Sequence, residues 1–275
     1  MQVEINVLGP LNVLVNGVSV VPTASKPRQI LAMLAINAGR LVTTSSLMDE
    51  LWGNNMPRSA AGTLQTYILQ VRRLIRAALP PDAGHEALEL LATNPTGYGL
   101  RADPEALDAV RYTRLAAAGR VASEAGDCVS AERLLSSALA LWRGPVLVDV
   151  VVGRQMEIEA MQLGESRLTD LTLRIDANLR LGRHHQLLGD LAALCARHPY
   201  MENFHAQFML ALYRSGRPGR ALEVYHGMWA TIRDNLGVDP SRRLRELHRA
   251  ILAGDEALDD LGYTAHAFSP DALAG

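Results

Sequence analysis

Gly182 and Gly216 stand 34 residues apart, and each is followed at matching offsets by residues suited to a buried position. Five and nine positions after the first come Leu187 and Leu191; five and nine after the second come Ala221 and Tyr225. Gly126 repeats the offsets with Ala131 and Leu135, and Pro199 closes the middle unit. Each glycine lies between stretches with apolar residues at helical spacing, so the recurring unit is a helix, a tight turn and a second helix. Units of this kind cannot bury their apolar faces alone and must stack on their neighbours. Residues 104–253 are therefore constrained to an all-α stack, with Val146–Val152 the only strand-like run. From Gly254 onward the chain carries five acids and no base, which predicts an acidic, flexible tail over 254–275.

Residues 1–103 read differently. Val3, Ile5 and Val7 alternate with polar residues, and Leu11–Val15 and Val18–Val21 flank Asn16-Gly17, a strong two-residue hairpin signal. Helical spacing then runs from Lys26 to Ala38 and stops at Gly39. Thr43-Thr44-Ser45 supplies an N-cap cluster for a second helix with Leu47, Met48, Leu51 and Trp52 on one face. A third helix is predicted from Ser59 to Leu79, stopped by Pro80-Pro81. Leu88–Thr93 and Tyr98–Leu100, separated by Asn94-Pro95-Thr96-Gly97, read as a strand, a turn and a returning strand. The order of short strands, three helices and a hairpin is that of a winged helix-turn-helix preceded by a small antiparallel sheet. The whole chain is of the α+β class: a winged domain over 1–103, helical repeats over 104–253 and the tail.

The third helix carries the functional signal. Leu64, Ile68, Val71 and Ile75 share one side, with Tyr67 and Leu74 at its edge. The opposite side presents Gly62, Thr66, Leu69 and Arg73, flanked by Gln65, Arg72 and Arg76 and by Thr63 and Gln70. Net charge is −2, yet between Leu51 and Pro81 there is no acid, while Arg58, Arg72, Arg73 and Arg76 all fall inside. Gln and Arg can pair with two atoms of adenine and guanine edges at once, and Thr or Leu can touch a thymine methyl. Acids there would be repelled by phosphate. A surface helix of this composition suits the major groove, although an arginine-bearing face is also what an ordinary solvated helix shows. The Thr96-Gly97-Tyr98 tip that follows is where a wing would reach the minor groove. The candidate DNA-contacting residues are thus Arg58, Thr63, Gln65, Thr66, Tyr67, Leu69, Gln70, Arg72, Arg73, Arg76, Thr96 and Tyr98. Thr66, Gln70 and Leu69 are set against bases, and Thr63 with Arg72 or Arg73 against the backbone.

Other chemistries find less support. His184, His185, Cys195 and His198 cluster in sequence, but no second cysteine pair completes a metal-binding pattern. No Gly-x-Ser-x-Gly elbow, HExxH motif or phosphate loop is present, so no catalytic residue, metal or cofactor is assigned and an enzyme is not expected. Arg242, Arg243, Arg245 and Arg249 on the last helix read as a solvated face beside Glu246, and Tyr213, Tyr225 and Trp229 as packing residues. Two cysteines are too few for a disulfide framework. No run of about 18 apolar residues exists to span a bilayer, and Met1–Val7 lacks the basic start and apolar block of a signal peptide. A cytoplasmic, nucleoid-associated protein without membrane partners is expected.

The residues also resemble a known family. Leu51-Trp52-Gly53, Thr63-Leu64-Gln65-Thr66-Tyr67-Ile68, Arg72-Arg73-Leu74 and Thr96-Gly97-Tyr98 look like the output domain of response regulators, most of all as found in the Streptomyces antibiotic regulatory proteins. Arg174-Ile175-Asp176, Leu181-Gly182-Arg183-His184, His198-Pro199, Leu210–Arg217, Ala221-Leu222 and Leu236-Gly237-Val238-Asp239-Pro240 resemble that family's bacterial transcriptional activator domain. The 34-residue period is that of tetratricopeptide repeats. The resemblance implies activation of a secondary-metabolite gene cluster. The chain would bind direct repeats at a promoter, as a homodimer if the repeats pair two copies, and recruit RNA polymerase, including its sigma subunit. Two positions depart from the pattern. Gly99 replaces a basic or larger residue, which predicts a weaker wing grip, and Met201-Glu202-Asn203 replaces a more basic stretch. The competing reading is an interaction scaffold, with the repeats binding a partner protein and the winged domain serving as a docking module.

Overall fold

The computed structural model describes residues 1–83 and 85–263. They form two compact units that do not follow chain order: Met1–Ala116 with Ser137–Leu168, and Ala117–Ser136 with Thr169 onward. The first unit thus takes in residues 104–116 and 137–168, beyond the winged domain read from the sequence.

In the first unit β1 (Val3–Asn6), β2 (Asn12–Val15) and β3 (Val18–Ser19) form an antiparallel sheet in that order, with Val3 opposite Val15 and Leu14 opposite Ser19. The turn between β2 and β3 holds Asn16 at φ +49° and Gly17 at φ +81°, the left-handed pair that matches the twist of the flanking strands. Next come α1 (Ser25–Ile36), β4 (Val42–Thr43), α2 (Thr44–Trp52), α3 (Ala60–Ala77), α4 (Glu86–Leu90), β5 (Leu91–Asn94) and β6 (Gly97–Leu100). A second sheet has the order β4-β6-β5, all antiparallel. Thr43 caps α2, its hydroxyl oxygen accepting the Ser46 amide at 3.1 Å. The strand expected from Leu88 begins only at Leu91, because Glu86-Ala87-Leu88-Glu89-Leu90 are strong helix formers. They close one helical turn that buries Ala87 and Leu90 and leaves Leu88 exposed.

Three more helices follow: α5 (Asp108–Glu124), α6 (Cys128–Leu139) and α7 (Arg154–Arg180). The segment between α6 and α7 lies in the first unit and is laced to the loop after β1. The Arg143 amide donates to the Leu8 carbonyl at 2.7 Å, the Leu147 amide to Val7 at 3.1 Å, and Asp149 Oδ1 accepts the Leu11 amide at 2.7 Å. Asp108, at the start of α5, accepts the amides of Val7 and Leu8 at 2.8 and 3.0 Å. Glu50 of α2, itself buried, takes the amides of Gly153 and Gln155 at the start of α7. Val146–Val152 is therefore a turn and not a strand: its polar groups go singly to loop partners, and Leu147 sits at φ +51°. One apolar core runs from Ile5 and Val13 through Ile30, Leu34 and Leu47 to Leu64, Ile68 and Ile75, and on to Tyr112 and Met156.

The second unit holds the rest of α5, α6 and α7 and the helices α8 (His184–Arg197), α9 (Glu202–Arg214), α10 (Pro218–Leu236) and α11 (Arg242–Ala253). Gly126, Gly182 and Gly216 turn the chain between paired helices at φ +77°, +72° and +71°, which only glycine adopts readily. The offset residues Ala131, Leu135, Leu187, Leu191, Ala221 and Tyr225 are all buried. Tyr225 stacks on His248 at 3.9 Å between ring centres, Trp229 lies under the Arg233 guanidinium at 4.9 Å, and Tyr213 is half-buried. Ser241 caps α11, and Arg242 pairs with Glu246 at 2.7 Å on its solvent side.

The predicted flexible tail is corrected over its first ten residues. Leu258 is fully buried, and Arg214 donates to the carbonyls of Leu258, Asp260 and Tyr263 at 2.8, 2.5 and 3.0 Å. An apolar anchor plus three charge-assisted hydrogen bonds outweigh the acidic composition of this strap. Residues 264–275 lie outside the described residues. Among the described residues no helix is long and apolar enough to cross a membrane.

Candidate nucleic-acid interface

Helix α3 is amphipathic, and its inner stripe fixes how it sits. Leu64, Ile68, Val71 and Ile75 are each at most 1% exposed, and burying such a side chain contributes about 1.5–3 kcal/mol. With four anchors on one side, the other side is committed to solvent. Gly62, Gln65, Thr66, Leu69, Gln70, Arg73 and Arg76 are all exposed, while Thr63 and Tyr67 are half-buried at the edges. The first turn carries no acid, so the helix N-terminus keeps its partial positive charge open to an anion. Arg58 is exposed in the loop that enters α3. Among the described residues Gln65, Gln70, Arg73 and Arg76 make no side-chain hydrogen bond or ion pair, so their donors are free. Thr66 is not: its hydroxyl donates to the Gly62 carbonyl at 3.1 Å.

Arg72 does something the sequence did not suggest. Its Nε and Nη2 donate to the Leu91 carbonyl at 3.2 and 2.8 Å, Nη2 also donates to Thr93 Oγ1 at 2.6 Å, and the guanidinium lies 6.0 Å from the centre of the Tyr98 ring. Its donors are turned toward the β5–β6 hairpin and hold it to α3. Thr93 and the Leu91 carbonyl were not foreseen in this role, and no sequence signal marks an arginine–carbonyl contact 19 residues apart.

The hairpin itself is tightly built. Asn94 pairs with Gly97, which leaves Pro95 and Thr96 as the two-residue tip. The Thr96 carbonyl accepts the Thr44 amide at 2.9 Å, tying the tip to the start of α2. A side chain at Gly97 would fall on the Val42 carbonyl oxygen and within 2.8 Å of Thr43 Cα. Thr96 is exposed at the tip, and Tyr98 is half-buried at the hairpin base beside Arg72. Gly99, the departure noted above, is buried, and a Cβ there would stand 3.2 Å from the Arg40 carbonyl oxygen. It packs inside the sheet and does not lie on the hairpin's outer surface.

The candidates thus divide by geometry. One continuous exposed face holds Gln65, Thr66, Leu69, Gln70, Arg73 and Arg76; the tip holds Thr96; Arg72 and Tyr98 form the joint between helix and hairpin. Elsewhere, His184 and His185 begin α8 with ring centres 4.6 Å apart, Cys195 lies farther along it, and His198 ends it against Phe204. Among the described residues no three His, Cys, Asp or Glu side chains gather as a metal site.

Comparison with known proteins gives this geometry a setting. A family model described as "Transcriptional regulatory protein, C terminal" matches residues 19–98, and one described as "Bacterial transcriptional activator domain" matches residues 107–252. The chain is 48% identical over 271 residues to the regulatory protein DnrI of Streptomyces peucetius, covering 98% of this chain and all of that one. It is 38% identical over 257 residues to the transcriptional regulator RedD of Streptomyces coelicolor, covering 93% of this chain and 72% of that one. A solved structure of Mycobacterium tuberculosis EmbR in complex with a low-affinity phosphopeptide superposes with a TM-score of 0.82 at 33% identity, over 94% of this chain and 68% of that one.

Proposed function

The chain belongs to the Streptomyces antibiotic regulatory proteins, DNA-binding transcriptional activators, and from that premise we propose how it grips its promoter and what it brings there. Helix α3 enters the major groove with Gln65, Thr66, Leu69 and Gln70 toward base edges. Thr63, Arg73, Arg76 and Arg58 grip phosphates, and the Thr96 tip meets the neighbouring backbone. Two copies occupy direct repeats at the promoter of a secondary-metabolite cluster, within the nucleoid. They recruit RNA polymerase, including its sigma subunit.

The observation that supports this best is the exposed face of α3. It has no carboxylate and carries four polar side chains with unengaged donors. A binding titration against a random duplex and a duplex selected from a random pool, each across a salt series, tests it. The proposal expects tight, salt-steep binding that favours the selected duplex. A scaffold that uses the winged domain only for docking gives neither preference nor steep salt dependence, and that outcome overturns the proposal.

A further inference from the structure

The exposed face of α3 carries a centre without hydrogen-bond donors between its polar edges. Leu69 is 52% exposed on the side opposite the buried stripe. One helical turn earlier on the same face stands Thr66, whose hydroxyl proton is committed to the Gly62 carbonyl at 3.1 Å. With that proton engaged, Thr66 offers its γ-methyl and no donor. The donors lie to either side: Gln65 and Gln70 next to the pair, Arg73 one turn beyond Leu69. Solitary exposed leucines are common and carry no message. This one is joined by a second side chain whose polar atom is turned back to the helix, on a face otherwise set with free hydrogen-bonding groups.

In the major groove the one apolar feature that a base edge presents is the 5-methyl group of thymine. Resting on the DNA-binding reading above, we infer that Leu69 and the Thr66 γ-methyl form a pocket for a thymine methyl and so fix one A·T pair within the operator. The neighbouring Gln65 and Gln70 side chains read adjacent pairs by hydrogen bonding. Arg72 takes no part, since its donors hold the hairpin.

The test uses the full chain and a duplex selected by it from a random pool. Each thymine of the bound site is replaced in turn by deoxyuridine, which removes the methyl and leaves every hydrogen-bonding group in place. One thymine should be sensitive, its replacement lowering affinity about three- to fourfold, the worth of one methyl group removed from water. Leu69→Ala should bind the unmodified duplex with a similar loss and lose nothing further on deoxyuridine at that position. Thr66→Val keeps a methyl at that position and should retain the sensitivity to deoxyuridine. Thr66→Ser keeps the hydroxyl and should show reduced methyl sensitivity. Leu69 and Thr66 are both exposed, so circular dichroism and melting should be unchanged in all three variants.

Three results overturn the inference: selected sites without thymine, no sensitive thymine, or a thymine equally sensitive in Leu69→Ala. Failure to select any preferred duplex instead overturns the DNA-reading proposal itself, so the two failures are distinct.

Discussion

Replacing Arg72 by alanine separates a clamp from a phosphate contact. Arg72 makes three hydrogen bonds, two to the Leu91 carbonyl at 3.2 and 2.8 Å and one to Thr93 at 2.6 Å. Hydrogen bonds to a charged group contribute about 1.5–3 kcal/mol each when sheltered. The guanidinium is half-exposed and solvent screens it, so the whole group is worth about 2 kcal/mol. In a unit of this size each kcal/mol shifts the melting temperature by about 2–4 °C. Arg72→Ala should therefore melt about 4–8 °C lower. Affinity should fall as the hairpin loosens from α3, while the slope of log affinity against log salt stays at the parent value. Arg73→Ala is the counterpart: its side chain is exposed and unengaged, so the melting temperature should hold, while the salt slope flattens by about 0.9, one phosphate contact. Calorimetry and salt-titrated fluorescence anisotropy read both. The clamp assignment fails if Arg72→Ala leaves the melting temperature alone and takes a unit from the salt slope.

Further outcomes follow from other sites. Gly97→Ala should destabilise the first unit by at least about 2 kcal/mol, read by urea unfolding, because its Cβ lands on β4 backbone that cannot retreat. A Cβ at Gly62 meets nothing within 4 Å among the described residues, so Gly62→Ala should stabilise α3 by about 0.5–1 kcal/mol in the same assay. Burial pushes the Cys195 thiol up to about 12, and only the thiolate is nucleophilic. Alkylation of the folded chain at pH 8 should leave Cys195 unlabelled in peptide maps until denaturant is added; rapid labelling in the native state would contradict this. Arg214→Ala should free residues 255–263 for proteolysis, whereas unchanged cleavage kinetics would mean that buried Leu258 and the Tyr213 bond to the Asp255 carbonyl hold the strap without it.

How far the sequence disclosed this molecule depends on the range over which each signal acts. The inner stripe of α3, the Asn16-Gly17 hairpin and the glycine-marked repeat are local or periodic patterns, and each appears in the structure where spacing placed it. The helix over Glu86–Leu90 escaped because a single turn is too short for helical periodicity to show, although its residues are strong helix formers and it buries Ala87 with Leu90. Contacts between distant residues left no trace in the sequence. Glu50 meets Gly153 and Gln155 across more than a hundred residues, and Asp149 meets Leu11 across 138. No periodicity encodes such pairs, so neither the lacing of the 140–155 segment nor the docking of 255–263 on Arg214 was legible. In the candidate interface the exposed face was readable from the helical wheel, whereas the diversion of Arg72 toward Leu91 was not.

Repeating the duplex selection with Gln70→Ala tests the central claim most directly. Gln70 is exposed and unengaged, so its loss leaves the fold intact, and if α3 lies in the groove the preference should flatten at one base pair while the remaining positions and the salt slope persist. Identical preferences from the parent and the variant at every position, and again from Leu69→Ala, would place the reading surface somewhere other than α3.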